Sequence, residues 1–362
     1  MYSSRAAPNR PDFASRFANF AASAMVVALA CLAYFYSPHH QGQLTRLYGF
    51  GSFSYTGAEF LAAGASLYVA LLAVHFLSAR NSKVSKSLRF LRVVAAFLRA
   101  PVRTWRAGLS PDDRLAVLTT LLKAFFAPLM AMSLMVFCVG AFEHGSAIVA
   151  SGAFSDGFRA LFDRHGFWFM IQAMLFVDVL VFTVGYLVES PTVRNEIRSV
   201  DPTWLGWTAA LLCYPPFNTF TSWILGQPVS DFPRFDDPTA HLTLNILLLA
   251  LMAVYTSASV ALGFKASNLT HRGIISRGPY AVIRHPAYVC KNMAWWIASI
   301  PLVSASFGQS PLLGIQVLAS VAGWTMLYAL RALTEEDHLR RVDGEYAAYA
   351  AQVRYRFIPG VY

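Results

Sequence analysis

Long apolar stretches alternate with short polar segments along the whole chain. A helix that crosses the roughly 30 Å core of a bilayer needs about 20 mostly apolar residues. No strand-like alternation competes with this pattern. We therefore predict an all-α fold, a polytopic transmembrane helix bundle of about eight spans, near 18–36, 57–77, 115–141, 167–188, 204–225, 241–263, 292–308 and 311–333.

The composition agrees with a membrane protein, because 56% of the residues are hydrophobic and only 13% are charged. Of the 29 Lys and Arg residues, 24 lie in segments that face one side if the N-terminus is cytoplasmic. Such a bias predicts a multi-pass protein with both termini in the cytoplasm. We attribute the formal charge of +10 to loops that face the cytoplasm and anionic membrane lipids, not to nucleic-acid binding. The pattern gives no indication of an oligomeric state.

The segment 80–106 carries eight basic residues and no acidic one, interleaved with apolar side chains. It predicts an amphipathic helix on the inner leaflet, which serves as a topology anchor or recruits a lipid substrate. We place this segment in an N-terminal transmembrane region, 1–203, and expect the catalytic region in 204–362.

Two polar features fall inside predicted spans. Pro215 and Pro216 lie midway along 204–225, where they must kink or break the helix. The kink either packs against neighbouring helices or forms a cavity wall. Asp178 is an intramembrane carboxylate, by default a functional candidate. We favour the alternative that it makes a helix-to-helix hydrogen bond.

The last two spans are joined by a short connection and predict an antiparallel hairpin. This hairpin brings the loop 264–291 and the tail 331–362 to the same face of the membrane. The tail predicts an amphipathic helix from Leu333 to Gln352, capped by Thr334. In that helix the Glu336–Arg340 and Asp337–Arg341 pairs would be solvated surface bridges. Tyr346 and Tyr349 point inward, and the segment that follows folds back on the protein.

The loop and tail carry a family resemblance. The sequence RHPAY at 284–288, the tryptophan-led hairpin and an EE-containing tail that ends in VRYRFIPG resemble the isoprenylcysteine carboxyl methyltransferase and phospholipid methyltransferase superfamily. The resemblance covers the chain from Leu269 onward. It implies a membrane-embedded enzyme that takes a methyl group from S-adenosylmethionine, held in a pocket at the cytosolic membrane surface and not on a Rossmann sheet.

The resemblance also implies site residues. Arg284, Glu335 and Arg341 are expected to serve catalysis, with Arg340 as an alternative to Arg341 for orienting an acceptor carboxylate. The residues expected to bind the cofactor are Gly278, Tyr280, His285, Pro286, Tyr288 and Glu336. One departure from the family pattern is Cys290, where many relatives have glycine, followed here by Lys291 and Asn292. This departure affects the acceptor more than the cofactor.

The chemistry implied by the family suits these residue types. A sulfonium donor is already activated, and a carboxylate acceptor is already ionised at neutral pH, so alignment and exclusion of water carry the rate. The expected acceptor is an apolar, lipid-like or prenylated small molecule. Three alternatives remain: an NADPH-dependent membrane reductase of the sterol-reductase type, a membrane transporter or scaffold, and a plain basic loop with a proline turn.

Metal and disulfide chemistry is not indicated. No two of the four cysteines form a CxxC pair. His271, His285, Cys290 and His338 have spacings that match no familiar metal-binding set, so no metal is expected.

Overall fold

The computed structural model describes residues 12–78, 83–150, 157–227 and 229–361. Arg5, Arg10 and Arg80, which contribute to the predicted charge bias, lie outside these ranges. Helix dominates the described residues. The α-helices are α1 (Phe13–Tyr36), α2 (Gln41–Thr45), α3 (Gly57–Ser78), α4 (Lys86–Arg99), α5 (Pro101–Ala107), α6 (Pro111–Ala150), α7 (Phe158–Leu161), α8 (Phe167–Leu187), α9 (Trp204–Leu211), α10 (Phe217–Leu225), α11 (Pro238–Leu262), α12 (Pro286–Gln309), α13 (Pro311–Val342) and α14 (Glu345–Gln352).

The described residues also form four short strands, besides several single helical turns. The strands are β1 (Leu47–Phe50), β2 (Phe53–Thr56), β3 (Ser199–Val200) and β4 (Thr270–His271). The strands β3 and β4 pair antiparallel, with Ser199 opposite His271. This small ribbon joins two loops that flank the transmembrane helices.

The protein is an all-α polytopic membrane bundle. Six helical segments of the described chain are long and apolar enough to cross a bilayer, against the eight predicted: Phe13–Tyr36, Gly57–Ser78, Pro111–Ala150, Phe158–Leu187, Pro238–Lys265 and Pro311–Val342. Many of their large apolar side chains are exposed, such as Leu67 at 63% and Met326 at 71%. In a bilayer these side chains face lipid, because lipid tails are as apolar as leucine.

The helix predicted at 204–225 is broken at the double proline, as expected, and the segment is not among the six long apolar helices. Helix α9 ends at Leu211 and α10 begins at Phe217. Pro215 and Pro216 have no backbone N–H to donate, so the helical ladder stops there. The hydroxyl of Thr221 donates to the freed carbonyl of Leu212 at 2.9 Å, which satisfies it locally.

The predicted hairpin is present. Helices α12 and α13 pack against each other and are separated only by Ser310, whose side chain accepts from the N–H of Leu313 at 3.2 Å. Helix α12 is not among the six apolar segments, and it contains Pro301.

The tail helix was predicted to begin at Leu333, and this prediction is wrong. Helix α13 runs without interruption to Val342, and a break at Asp343–Gly344 precedes α14. Thr334 is therefore inside a helix, where its hydroxyl donates to the carbonyl of Arg331 at 2.9 Å and caps nothing. The helix continues because no residue from Leu333 to Val342 is a proline or a glycine.

The described residues form two compact units, and the division falls within α6. The first contains those of Met1–Tyr48 and Ser54–Met132, and the second those of Gly49–Phe53 and Ser133–Tyr362. Contacts therefore divide the chain between Met132 and Ser133, whereas the functional division predicted at 203/204 stays a prediction.

In the first unit, Asn19 of α1 fixes the start of the basic segment. Asn19 is buried, its amide donates to the carbonyl of Lys83 at 3.2 Å, and its Oδ1 accepts from the N–H of Ser85 at 2.8 Å. Ser85 in turn caps α4 by accepting from Leu88. The predicted amphipathic segment is thus helical from Lys86, with a break at Ala100; its position on the inner leaflet stays a prediction, and residues 80–82 lie outside the described chain.

The second unit is a bundle in which α11 packs on α8 and α12, α12 on α13, and α13 on α9 and α10. An apolar core that includes Phe167, Leu248 and Ala298 holds α8, α11 and α12 together. Asp178 of α8 accepts hydrogen bonds from Tyr255 at 2.8 Å and from Ser259, both on α11. It makes the helix-to-helix contact that we favoured from the sequence.

Candidate functional site

A cavity of about 210 Å³ lies in the second unit, lined by α11, α12, α13, α14 and the loops around the β3–β4 ribbon. Tyr214, at the break between α9 and α10, also lines it. The carbonyl freed at the double proline is thus hydrogen-bonded locally, and the same segment forms part of a cavity wall. The packed kink and the cavity wall, which the sequence left as alternatives, therefore both hold in part.

The loop that precedes α12 owes its shape to Gly278. This residue has a φ of +60°, a left-handed conformation that glycine adopts without strain, and it opens a helical turn over Gly278–Ala281. A Cβ at this position would lie 3.3 Å from the Cβ of Ala261. Gly278 therefore permits the turn and close packing on α11, but it does not line the cavity.

The tail folds back onto this loop, as predicted. The backbone N–H of Arg284 donates to the carbonyl of Tyr355 at 3.0 Å, and that of His285 donates to the carbonyl of Arg356 at 3.1 Å. Pro286 then starts α12, where its missing N–H is not needed. The two segments are held as neighbours although they are about 70 residues apart in sequence.

Glu336 joins loop, tail and α13 through one buried carboxylate. It is 1% exposed. Its oxygens lie 3.1 Å from His285 Nε2, 3.1 Å from Arg340 Nη2, 3.0 Å from Arg356 Nη2 and 3.4 Å from Arg284 Nε. The tail covers the carboxylate of Glu336, so this side of the Glu336–Arg340 pair is buried. The prediction of a solvated surface bridge is therefore wrong for Glu336. Glu336 does not line the cavity.

Glu335, the other member of the acidic pair, faces the cavity instead. It accepts a hydrogen bond from the hydroxyl of Tyr288, and its Oε1 lies 3.4 Å from Arg331 Nε. The neighbouring glutamates thus have separate environments, since successive helix positions point about 100° apart. Glu335 can bind a cationic ligand group, whereas Glu336 is committed to protein partners.

Two cations that line the cavity lie close to aromatic rings. The guanidinium carbon of Arg331 lies 5.1 Å from the ring centroid of Tyr288 and 5.9 Å from that of Tyr328. Lys291 Nζ lies 5.2 Å from the Trp295 centroid and 5.4 Å from the Tyr328 centroid. These distances are in the range of cation–π contacts, so the cavity wall combines positive charge with aromatic surface.

Buried tyrosines form the side of the cavity near the tail. Tyr346 and Tyr349 are buried, which confirms that they point inward, and the hydroxyl of Tyr349 donates to the carbonyl of Tyr280 at 2.9 Å. Burial raises the pKa of Tyr349 to about 12. Burial and the nearby Glu335 also raise the pKa of Tyr280. Both phenols therefore stay protonated at neutral pH.

Arg341 lies away from the cavity. It pairs with Asp337, and both side chains are more than half exposed, at 59% and 58%. Five of the nine predicted site residues line the cavity: Tyr280, Arg284, His285, Tyr288 and Glu335. The other four, which do not, are Gly278, Pro286, Glu336 and Arg341.

Other lining residues were not among the predicted site residues. They include Tyr214, Tyr255, Arg272, Lys291, Tyr328 and Arg331. Arg331 carried a detectable signal, because it is a charge within the predicted span 311–333. The tyrosines carried none, since an aromatic residue within a span usually packs against lipid or core. Among the described residues, no group of three or more His, Cys, Asp or Glu side chains could hold a metal ion.

Comparison with known proteins gives a match to part of the chain. Residues 228–353 match the family model described as "Protein of unknown function (DUF1295)". That family is in the steroid 5α-reductase/isoprenylcysteine carboxyl methyltransferase-like membrane superfamily. No curated protein and no solved structure matches the chain. The matched region contains all nine predicted site residues, together with α11, α12, α13 and α14.

Proposed function

We propose that the chain is a membrane-embedded, S-adenosylmethionine-dependent methyltransferase that acts on an apolar or lipidated acceptor, most like the carboxyl methylation of isoprenylcysteine. The main support is the convergence of Arg284, His285, Tyr288 and Glu335 on one cavity among membrane-spanning helices. The superfamily of the matched model, which includes proteins like that methyltransferase, is consistent with this proposal.

The side chains around the cavity fit the methyl donor in chemical type. When bound, the donor supplies an activated methyl group on a sulfonium. Glu335 would offset its ammonium group, and Arg284 would bind its carboxylate. The rings of Tyr280 and Tyr288 offer faces that attract a sulfonium, as they do other cations.

The acceptor needs orientation and no strong base. A carboxylate is ionised at neutral pH, so the cations Lys291 and Arg331 would hold it and the rings around them would exclude water. Arg331, which is buried in the cavity wall, is better placed for this role than the exposed Arg341. The cavity of about 210 Å³ is somewhat smaller than the roughly 300–1,000 Å³ of typical ligand pockets.

A second candidate is a nicotinamide-dependent membrane reductase. It is favoured by an excess of cations over carboxylates at the cavity wall, where Asp201 and Glu335 face five basic side chains: Lys265, Arg272, Arg284, Lys291 and Arg331. The phosphates of NADPH would suit such a wall.

The test is calorimetry on the detergent-purified full chain, with S-adenosylhomocysteine and NADPH in parallel. We expect saturable binding of S-adenosylhomocysteine, weakened at least tenfold in Glu335→Gln and in His285→Ala. Glu345→Gln is the matched control, because this glutamate is exposed at the start of α14. Binding of NADPH alone would assign the reductase chemistry, and binding of neither by folded protein would refute both.

A further inference from the structure

A buried carboxylate lies behind one wall of the cavity. Asp178 is 6% exposed, belongs to a membrane-spanning segment, and does not itself line the cavity. Its Oδ2 accepts a hydrogen bond from the hydroxyl of Tyr255 at 2.8 Å, and its Oδ1 accepts one from the hydroxyl of Ser259. Both of these donors belong to α11 and line the cavity, so the carboxylate acts on the cavity wall through them.

The hydrogen bonds to Asp178 fix what Tyr255 and Ser259 can offer to a ligand. A hydroxyl group has one proton to donate and lone pairs that accept. In both residues that proton is used by the carboxylate, so only the lone pairs are left. A hydroxyl without such a partner could turn its proton toward any acceptor on the ligand. Asp178 thus makes this part of the wall a pair of hydrogen-bond acceptors.

Lys291 places a positive charge beside these acceptors. It lines the cavity from α12, and its Nζ lies 5.8 Å from the ring centroid of Tyr255. It also interacts electrostatically with Asp178. A carboxylate within a membrane segment is costly unless it is paired or hydrogen-bonded. Two hydroxyl donors and a cation compensate it here, and the cavity wall then has an ammonium group next to two acceptor oxygens.

This combination complements a ligand in which a hydrogen-bond donor is close to an anion. In an N-acylated amino acid, the nitrogen is about 2.5 Å from the carboxyl carbon. When Lys291 holds the carboxylate of such a ligand, the amide N–H can donate to Tyr255 or Ser259. A ligand with the same shape but without the N–H leaves these acceptors unpaired, which costs binding free energy.

We propose that Asp178, acting through Tyr255 and Ser259, makes the site selective for acceptor carboxylates that carry an N–H donor on the adjacent carbon, as N-acylated amino acids do. Fatty acids and O-acylated hydroxy acids lack this donor. Asp178 is a positioning residue in this account, because it sets the direction of two hydroxyl protons. The inference rests on the proposed function, in which Lys291 and Arg331 hold the acceptor carboxylate, and it adds the class of acceptor.

The experiment compares two lipid probes that differ in one group. N-decanoylglycine has an amide N–H beside its carboxylate, and decanoylglycolic acid has an ester oxygen in the same place. The binding of each probe to the full chain in detergent is measured by calorimetry, with empty micelles as the blank. We expect wild type to bind the amide roughly tenfold more tightly than the ester, because only the amide pairs with the buried acceptors.

Two variants should bring the ratio of the two affinities close to one. In Asp178→Asn the new amide donates to one hydroxyl, which then turns its own proton toward the cavity. Tyr255→Phe removes one of the two acceptors. The matched control is Thr256→Val, which removes another hydroxyl of α11 that donates to α8, at 3.3 Å from the carbonyl of Met174, but does not line the cavity. A general loosening of the two helices weakens both probes alike and leaves the ratio unchanged.

The inference is overturned if wild type binds the two probes equally tightly or binds neither, or if the folded variants keep the wild-type ratio. Tyr255→Phe decides the matter if Asp178→Asn does not fold. The binding of S-adenosylhomocysteine by the same preparation separates this inference from the proposed function. Protein that binds S-adenosylhomocysteine without distinguishing the probes refutes the selectivity alone, and protein that distinguishes the probes without binding S-adenosylhomocysteine refutes the methyltransferase alone.

Discussion

The buried carboxylate of Glu336 gives the sharpest test of how the site is held together. Glu336→Gln keeps the shape of the side chain and removes its charge. The change removes the negative charge that faces the guanidinium groups of Arg284 and Arg356, whose side chains are 9% and 10% exposed. Breaking a buried pair by removing one partner costs about 3–5 kcal/mol, because the other charge stays buried and uncompensated.

The adjacent residue provides the control. Asp337 also pairs with an arginine four residues later, but that pair is exposed on both sides. Exposed pairs contribute about 0–1 kcal/mol, so Asp337→Asn should change stability by no more than that. The two substitutions alter the same chemistry at neighbouring positions and differ mainly in burial.

The assay is equilibrium unfolding in a mild detergent, followed by tryptophan fluorescence. We expect the free energy of unfolding of Glu336→Gln to fall by several times the change in Asp337→Asn. If both variants unfold alike, the carboxylate of Glu336 does not hold the loop and the tail together, and our account of the site's assembly is wrong.

Three further predictions concern the same unit. The pKa of Tyr349 is raised to about 12 in the folded protein, so the unfolded chain loses this proton at a lower pH. The free energy of unfolding should therefore be constant below a pH of about 10 and fall between about 10 and 12. Unfolding measured across this range should show a smaller fall in Tyr349→Phe. Gly314→Ala should destabilise by about 1–3 kcal/mol, because a Cβ would lie 2.3 Å from the ring of Phe307, whereas Gly308→Ala, with nothing within 4 Å, should show only a small effect in the same unfolding assay. Thr221→Val should cost about 1 kcal/mol, since it leaves the carbonyl of Leu212 without its donor, and an unchanged thermal midpoint would contradict this.

The sequence predicted the parts of the fold that depend on periodicity and on connection length. Apolar stretches of the required length located six membrane helices, and the short connection before Pro311 predicted the α12–α13 hairpin. That hairpin placed the loop and the tail on one face, and their backbone hydrogen bonds confirm the adjacency.

Features that depend on tertiary packing were not predictable from local pattern. Glu336 and Asp337 have the same spacing to an arginine, yet only the first is buried, because a segment about 20 residues further along covers it. The separate surroundings of Glu335 and Glu336 likewise follow from which face of α13 meets the cavity. Arg272 resembled any basic loop residue until the pairing of its neighbour His271 with Ser199 placed it at the cavity wall.

The pairing of Arg284 and His285 with Tyr355 and Arg356 has a consequence for biosynthesis. The first pair leaves the ribosome well before the second, and the whole α12–α13 hairpin is made between them. The loop therefore waits without its backbone partners until the hairpin has inserted and brought the following segment back to the same side. A chain whose last hairpin fails to insert would keep its loop sequence but lack an assembled cavity.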